Sequence, residues 1–83
     1  MYKNKSLDGL NNVCGHRVRL FRTAMPSRPS QRAFADMLQI EGLDLDKNAV
    51  QRIESGARFV TDIELRIIAR VLNVSYQALL DDQ

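Results

Sequence analysis

One cysteine and one histidine are all that this 83-residue chain has of the side chains that build most disulfides and metal centres. A lone Cys14 excludes an internal disulfide and any cysteine-based zinc site, and His16 has no second histidine with which to hold a metal. Long apolar runs are missing too, and none approaches the ~20 residues of a membrane span. The opening MYKNKSLDGL is polar and lacks the apolar region of a signal peptide, so the expectation is a cytoplasmic protein with no membrane association. Gly9, Gly15, Gly42 and Gly56 are scattered and form no phosphate-cradling loop. There is no Ser/His/Asp set and no recognisable pair of catalytic acids. The expectation is a non-enzyme with no metal, no cofactor and no evident small-molecule ligand.

What is present fits one soluble domain. A chain this short buries only about 60–65% of its unfolded surface, enough for a small helical bundle and too little for a deep catalytic pocket. The net charge of +2 conceals an uneven distribution. Residues 1–32 hold Lys3, Lys5, Arg17, Arg19, Arg22, Arg28 and Arg32 against Asp8 alone, a balance of +6. Residues 33–83 hold five basic and nine acidic side chains, a balance of −4. A basic half beside an acidic half points to one face meant for a polyanion, or to a chance imbalance in a small protein.

Periodicity predicts five short helices. Residues 1–11 have no clear period and read as a flexible N-terminal arm, leaving 12–83 as the domain. Asn12 is placed to cap the first helix, in which Cys14, Val18, Phe21 and Met25 form one stripe. Pro26 and Pro29 make MPSRPS a loop. Ser30 caps a second helix that carries Phe34, Ala35 and Leu38 inward, with Ala35 small where helices cross. After Gly42, Leu43 and Leu45 of the connector can tuck into the core; the alternating LDLD is the one β-like signal. Asp46 caps a third helix, Lys47 to Ser55, and Gly56 stops it. Thr61 and Glu64 form a T-x-x-E capping box for a fourth, with Leu65, Ile68, Ala69 and Leu72 on one face. Asn73 closes that helix, and Ser75 caps a short last one with Tyr76, Leu79 and Leu80 as its apolar positions. Asp81, Asp82 and Gln83 trail off.

The third helix is the informative one. Only Val50 and Ile53 are strongly apolar, and they share a face. At about 100° per residue, Asn48, Gln51, Arg52 and Ser55 point within about 50° of the opposite direction. Two side chains anchor such a helix, and its far side offers donors and acceptors of the kind that read base edges in a DNA major groove.

These stretches carry a resemblance. RVRLFR, SQRAFADML, AVQRIESG and ELRIIARVLNVSYQALL occur in that order. The run V-x-x-I-E-x-G followed by L-x-x-I-A-x-x-L-x-V-S-x-x-x-L-L is the most specific part. Over about residues 12–82 the chain resembles the phage-repressor and Cro-like, or Xre-type, helix-turn-helix family. The resemblance implies an all-α, compact five-helix bundle of the lambda-repressor type, with the third helix as the recognition helix. It implies base contacts from Lys47, Asn48 and Arg52, with Ala49 and Gln51 beside them. It also implies a phosphate clamp at Gln31, a backbone-contacting loop at Ser55, Gly56, Ala57 and Arg58, and a structural salt bridge between Arg22 and Glu54. Two departures stand out. QIEGLDLDK is longer than the family's commoner turn of about four residues, although a longer-turn version with a similar GLD stretch exists. The loop TAMPSRPS is longer than usual as well.

Chemistry supports these roles and leaves alternatives. Lys47 can reach a guanine acceptor or a phosphate, or be a solvated lysine. Asn48 matches adenine N6 and N7, or supports the cap of its helix. Arg52 can fork onto guanine O6 and N7, or pair with Asp46 or Glu54. Gln51 suits a phosphate or water-mediated contact. Ser30 and Gln31 stand at a helix N-terminus that favours an anion. Arg28, Arg32 and Arg58 are phosphate neighbours, or charges facing solvent. The expectation is sequence-specific binding of double-stranded DNA by a bacterial or phage transcriptional regulator, a repressor. Binding as a homodimer is expected through Leu20, Ile67, Val71 and Tyr76, unless these complete the core. The rival reading is a protein-interaction module on the same fold, an antitoxin-like or anti-repressor partner binder, whose mark would be a neutral or acidic recognition face.

Overall fold

In the computed structural model, which describes residues 9–81, the chain forms α1 (Gly15–Ala24), α2 (Gln31–Ile40), α3 (Lys47–Ser55), α4 (Asp62–Leu72) and α5 (Tyr76–Leu80). Among the described residues there is no strand. Four of the helices start on a side chain that satisfies an amide their first turn would leave open. Ser30 Oγ accepts from the Ala33 amide at 3.1 Å, and Asp46 Oδ1 from the Ala49 amide at 2.8 Å. Ser75 Oγ accepts from the Ala78 amide at 3.1 Å. Thr61 and Glu64 complete a reciprocal box, with Thr61 Oγ1 accepting from the Glu64 amide and Glu64 Oε1 from the Thr61 amide. Two helices end on a left-handed residue, Gly56 (φ 84°) after α3 and Asn73 (φ 59°) after α4.

The core is one cluster. Val18 from α1, Phe34 and Leu38 from α2, Val50 and Ile53 from α3, Ile68 from α4 and Leu79 from α5 are all but fully buried. Leu43 and Leu45 of the connector are buried with them, and Cys14 fills a place beside α1. α2 and α1 both pack on α3, while α4 packs on α1 and α2, and α5 closes against α1 and α4. The radius of gyration is 12.2 Å, close to the ~12 Å of a compact domain of this length. No helix among the described residues is long and apolar enough to cross a membrane.

Three expectations change at this level. The arm expected over residues 1–11 does not extend to Leu10 and Asn11. The Asn11 amide donates to the Gly56 carbonyl and its Nδ2 to the Ala57 carbonyl, both at 2.8 Å. Leu10 lies directly over Gly56. Residues 1–8 of that expected arm lie outside the described residues, as do Asp82 and Gln83. Asn12 does accept from the Gly15 amide at 2.8 Å, but the helix begins at Gly15 with Cys14 at the cap position. Ile67 and Val71 pack against the core, so of the four residues expected at a dimer face only Leu20 and Tyr76 stay exposed.

Candidate nucleic-acid interface

Val50 and Ile53 hold α3 to the core on one side, and they leave the other side open. Lys47, Asn48, Gln51, Arg52 and Ser55 are all exposed. Neither Lys47 nor Arg52 forms an ion pair with another described residue. The alternative partners of Arg52 are otherwise engaged: Asp46 caps α3, and Glu54 is buried against Arg22. Asn48 makes no cap hydrogen bond, since Asp46 supplies it. Ser55 donates its hydroxyl to the Arg52 carbonyl at 3.1 Å. The result is a ridge of polar side chains on a rod with both ends fixed.

The N-terminal half of this ridge borders a groove. About 460 Å³ of space lies between α2 and the start of α3, lined by Arg32, Ala35, Asp36, Gln39, Asp46, Lys47 and Asn48. Gln39 Nε2 donates to the Leu45 carbonyl at 2.9 Å, tying the long connector back to α2. Arg32 and Ser30 are exposed at the N-terminal end of α2. Arg28 is exposed in the loop before it, with a left-handed backbone (φ 45°). Arg28 and Arg32 have no ion partner among the described residues.

Ala49 is a correction. Expected beside the base-contacting residues, it is only 6% exposed and belongs to the core cluster. Its position explains this. It lies four residues before Ile53, hence about 40° from it around the helix and on the buried side. Gln31 is engaged as well, because its Nε2 donates to Glu54 Oε1 at 3.0 Å and the side chain is half-buried. Arg58 is likewise taken up. Its Nη1 and Nη2 donate to Glu64 Oε1 and Oε2 at 2.9 and 3.0 Å, and Nη1 also to the Phe59 carbonyl at 3.1 Å. These contacts turn an expected phosphate neighbour into a loop clamp. The Arg58 guanidinium is held above its ordinary value by the hydrogen bonds to Glu64. For the Glu64 carboxyl, burial acts upward, but hydrogen bonds from Arg58 and Thr61 and the Arg58 charge outweigh it and hold it below its ordinary value.

Arg22 and Glu54 form the buried pair that the resemblance implies. Nε donates to Oε2 at 2.7 Å and Nη2 to Oε1 at 3.0 Å, while Nη1 donates to the Pro29 carbonyl at 2.8 Å. One arginine from α1 therefore joins α3 to the loop before α2, and Gln31 adds α2 to the same carboxylate.

Sequence reasoning missed the fastening of the C-terminal end of α3. Asn12 Nδ2 donates to the Ile53 carbonyl at 3.1 Å and to the Arg58 carbonyl at 2.7 Å. Gly15 brings α1 so close to α3 that a Cβ there would sit 2.0 Å from the Ile53 carbonyl oxygen. The one local sign was the pair Asn11–Asn12 beside a helix-starting glycine, and its partners lie more than forty residues along the chain.

His16 is exposed, and the described residues hold no group of three or more His, Cys, Asp or Glu side chains placed for a metal. Comparison of the chain with protein-family models, with curated proteins and with solved structures found no match.

Proposed function

We propose that this protein binds double-stranded DNA sequence-specifically, with α2 and α3 acting as a helix-turn-helix of the phage-repressor and Cro-like kind. On this reading it is a bacterial or phage transcriptional regulator, a repressor working in the cytoplasm as a homodimer, and not an enzyme. The observation that carries the reading is the exposed face of α3: Lys47, Asn48, Gln51 and Arg52 stand together on a capped helix, and its two cations have no ion partner among the described residues. Arg52 is the candidate for guanine and Asn48 for adenine, because each offers the matching pair of hydrogen-bonding groups. Arg28 and Arg32 supply phosphate contacts beside them, with Ser30 and Ser55 within the same polar rim. Dimerisation brings two such faces to half-sites about 34–36 Å apart, which compensates for the limited surface that one small domain buries on DNA.

The test is affinity for a random-sequence duplex against salt, followed by site selection from a random pool. Each phosphate contact contributes about 0.9 to the slope of log affinity against log salt, so Arg28 and Arg32 together contribute about 1.8 per bound copy. Arg52→Ala is expected to cost about 1–3 kcal/mol on the selected site and to relax base choice at a single position. Affinity that does not change between 50 and 200 mM salt, the range over which phosphate contacts are lost, rejects the reading. The alternative, a partner-binding module on the same fold, is favoured by Ile40 and Ile63, large apolar side chains 82% and 66% exposed, and salt-independence would support it.

A further inference from the structure

We propose that Glu64 limits the affinity of this face for DNA by withholding Arg58 from the phosphate backbone. The proposal rests on the DNA-binding reading above. Arg58 stands in the loop between α3 and α4, and its amide donates to the Arg52 carbonyl at 3.2 Å. Its backbone therefore lies one turn beyond a residue of the exposed ridge. Lys47, Arg52, Arg28 and Arg32 meet solvent with no ion partner among the described residues. Arg58 instead makes a two-pronged pair with Glu64.

This pair differs from an ordinary surface contact. Arg70 and Glu41 meet through one contact of 3.7 Å with both side chains well exposed, and such a pair comes apart freely. The Glu64 side chain is only 13% exposed, and Arg58 is 30% exposed. Glu64 Oε1 also accepts from the Thr61 amide as part of the α4 cap. The acceptor is thus fixed by the helix start before Arg58 reaches it. A guanidinium held on a carboxylate in this way approaches a duplex as a neutral unit and displaces no counterion. Swinging Arg58 out to a phosphate would leave the half-buried Glu64 carboxylate without its cation.

The substitution Glu64→Gln separates the two jobs of this side chain. Glutamine serves in a capping box, so the start of α4 is kept, while the charge that holds Arg58 is lost. The assay is binding to a random-sequence duplex between 50 and 200 mM salt. One additional phosphate contact steepens the slope by about 0.9, so Glu64→Gln loses about 3.5-fold more affinity than wild type across that range. The double variant Glu64→Gln, Arg58→Ala returns to the wild-type slope. In the wild-type background Arg58→Ala removes a cation that the pair already withholds, and the slope stays where it was. A drop of about 0.9 on Arg58→Ala means that Arg58 already sits on a phosphate, and it overturns the proposal even where Glu64→Gln fails to fold. An unchanged slope for folded Glu64→Gln overturns it as well. Wild-type protein with no salt-dependent binding removes the DNA reading itself, and this proposal with it.

Discussion

Replacing Arg22 by alanine tests the buried junction on which the position of α3 depends. Arg22 gives three hydrogen bonds: two to the Glu54 carboxylate, at 2.7 and 3.0 Å, and one to the Pro29 carbonyl at 2.8 Å. Its side chain is 10% exposed and that of Glu54 is 3% exposed. The alanine variant leaves Glu54 buried in α3 with the Gln31 amide as its remaining side-chain donor, and it leaves the Pro29 carbonyl without the arginine. A net gain of about 1 kcal/mol per ordinary hydrogen bond would underestimate the loss. Stranding one member of a buried pair costs ~3–5 kcal/mol, because the other charge keeps its desolvation penalty and loses its compensation. Small domains have about 5–15 kcal/mol in all, so the variant is expected to lose a large part of its stability.

Urea unfolding followed by circular dichroism measures this directly. With a slope near ~1 kcal/mol per molar urea the midpoint falls by roughly 3 M or more. The melting temperature falls by about 12 °C at least. The companion variant replaces both partners, Arg22→Met with Glu54→Leu. Removing two charges together avoids the stranded carboxylate, so the double variant recovers much of the loss. On the proposed DNA-binding reading, folded Arg22→Ala should keep the base preference of the wild type, since Arg22 is buried beneath the exposed face and not on it. The reasoning is refuted if Arg22→Ala loses less than about 1 kcal/mol, the scale of one ordinary hydrogen bond. A fully stable variant with altered base preference would refute it equally.

Two further outcomes follow from close contacts. Gly15→Ala ordinarily favours a helix by about 1 kcal/mol, but here the added Cβ meets the Ile53 carbonyl oxygen at 2.0 Å. The expected result is a net loss of about 1–3 kcal/mol in thermal unfolding, and a neutral or stabilised variant would show that α1 and α3 are not in such contact. Glu64 gives a pH dependence. Its carboxyl is held below the ordinary 4.5 in the folded protein, so its contribution is complete above the unfolded value and is lost as pH falls through the folded one. Unfolding curves collected from neutral pH downward should show wild type losing its advantage over Glu64→Gln in that acid window; a difference that is the same at every pH contradicts this.

The parts of the fold that were legible in the sequence are those whose causes are local. Ser30, Asp46, Thr61 and Ser75 each accept from an amide three residues ahead, so each cap and its partner sit within one turn of chain. Gly56 and Asn73 end helices through their own backbone conformation. What was not legible depends on distant partners. The pair Asn11–Asn12 beside Gly15 is a local sign, but nothing near it names the carbonyls of residues 53 and 58 as the partners of Asn12. Arg58 and Gln31 read as outward polar residues because Glu64 and Glu54 capture them only once the helices are in place. Ala49 differs for another reason: the resemblance sets it beside Lys47 and Asn48, whereas its place about 40° from Ile53 around the helix puts it on the buried side. Ile67 and Val71 fall outside the four-residue stripe that periodicity gives α4, and the buried face is wider than that stripe.

The fastening of α3 bears on how such a face would bind. Its start is capped by Asp46, and the connector before it is tied to α2 through Gln39. Its last turn is held from α1 by Asn12 and pressed by Gly15, while Asn11 holds the carbonyls of the following loop. A helix of nine residues standing alone would be marginal in water, so its order here comes from these contacts and from Val50 and Ile53. The backbone that presents Lys47, Asn48, Gln51 and Arg52 is therefore paid for by folding, and binding has mainly to immobilise side chains, about 0.5–1.5 kcal/mol each. The long connector fits this arrangement. Leu43 and Leu45 bury themselves as it passes, so the extra length adds core contacts instead of slack between α2 and α3. A loop that merely spaced the two helices would leave their relative tilt open, whereas one pinned by two leucines and a side-chain hydrogen bond from α2 sets it.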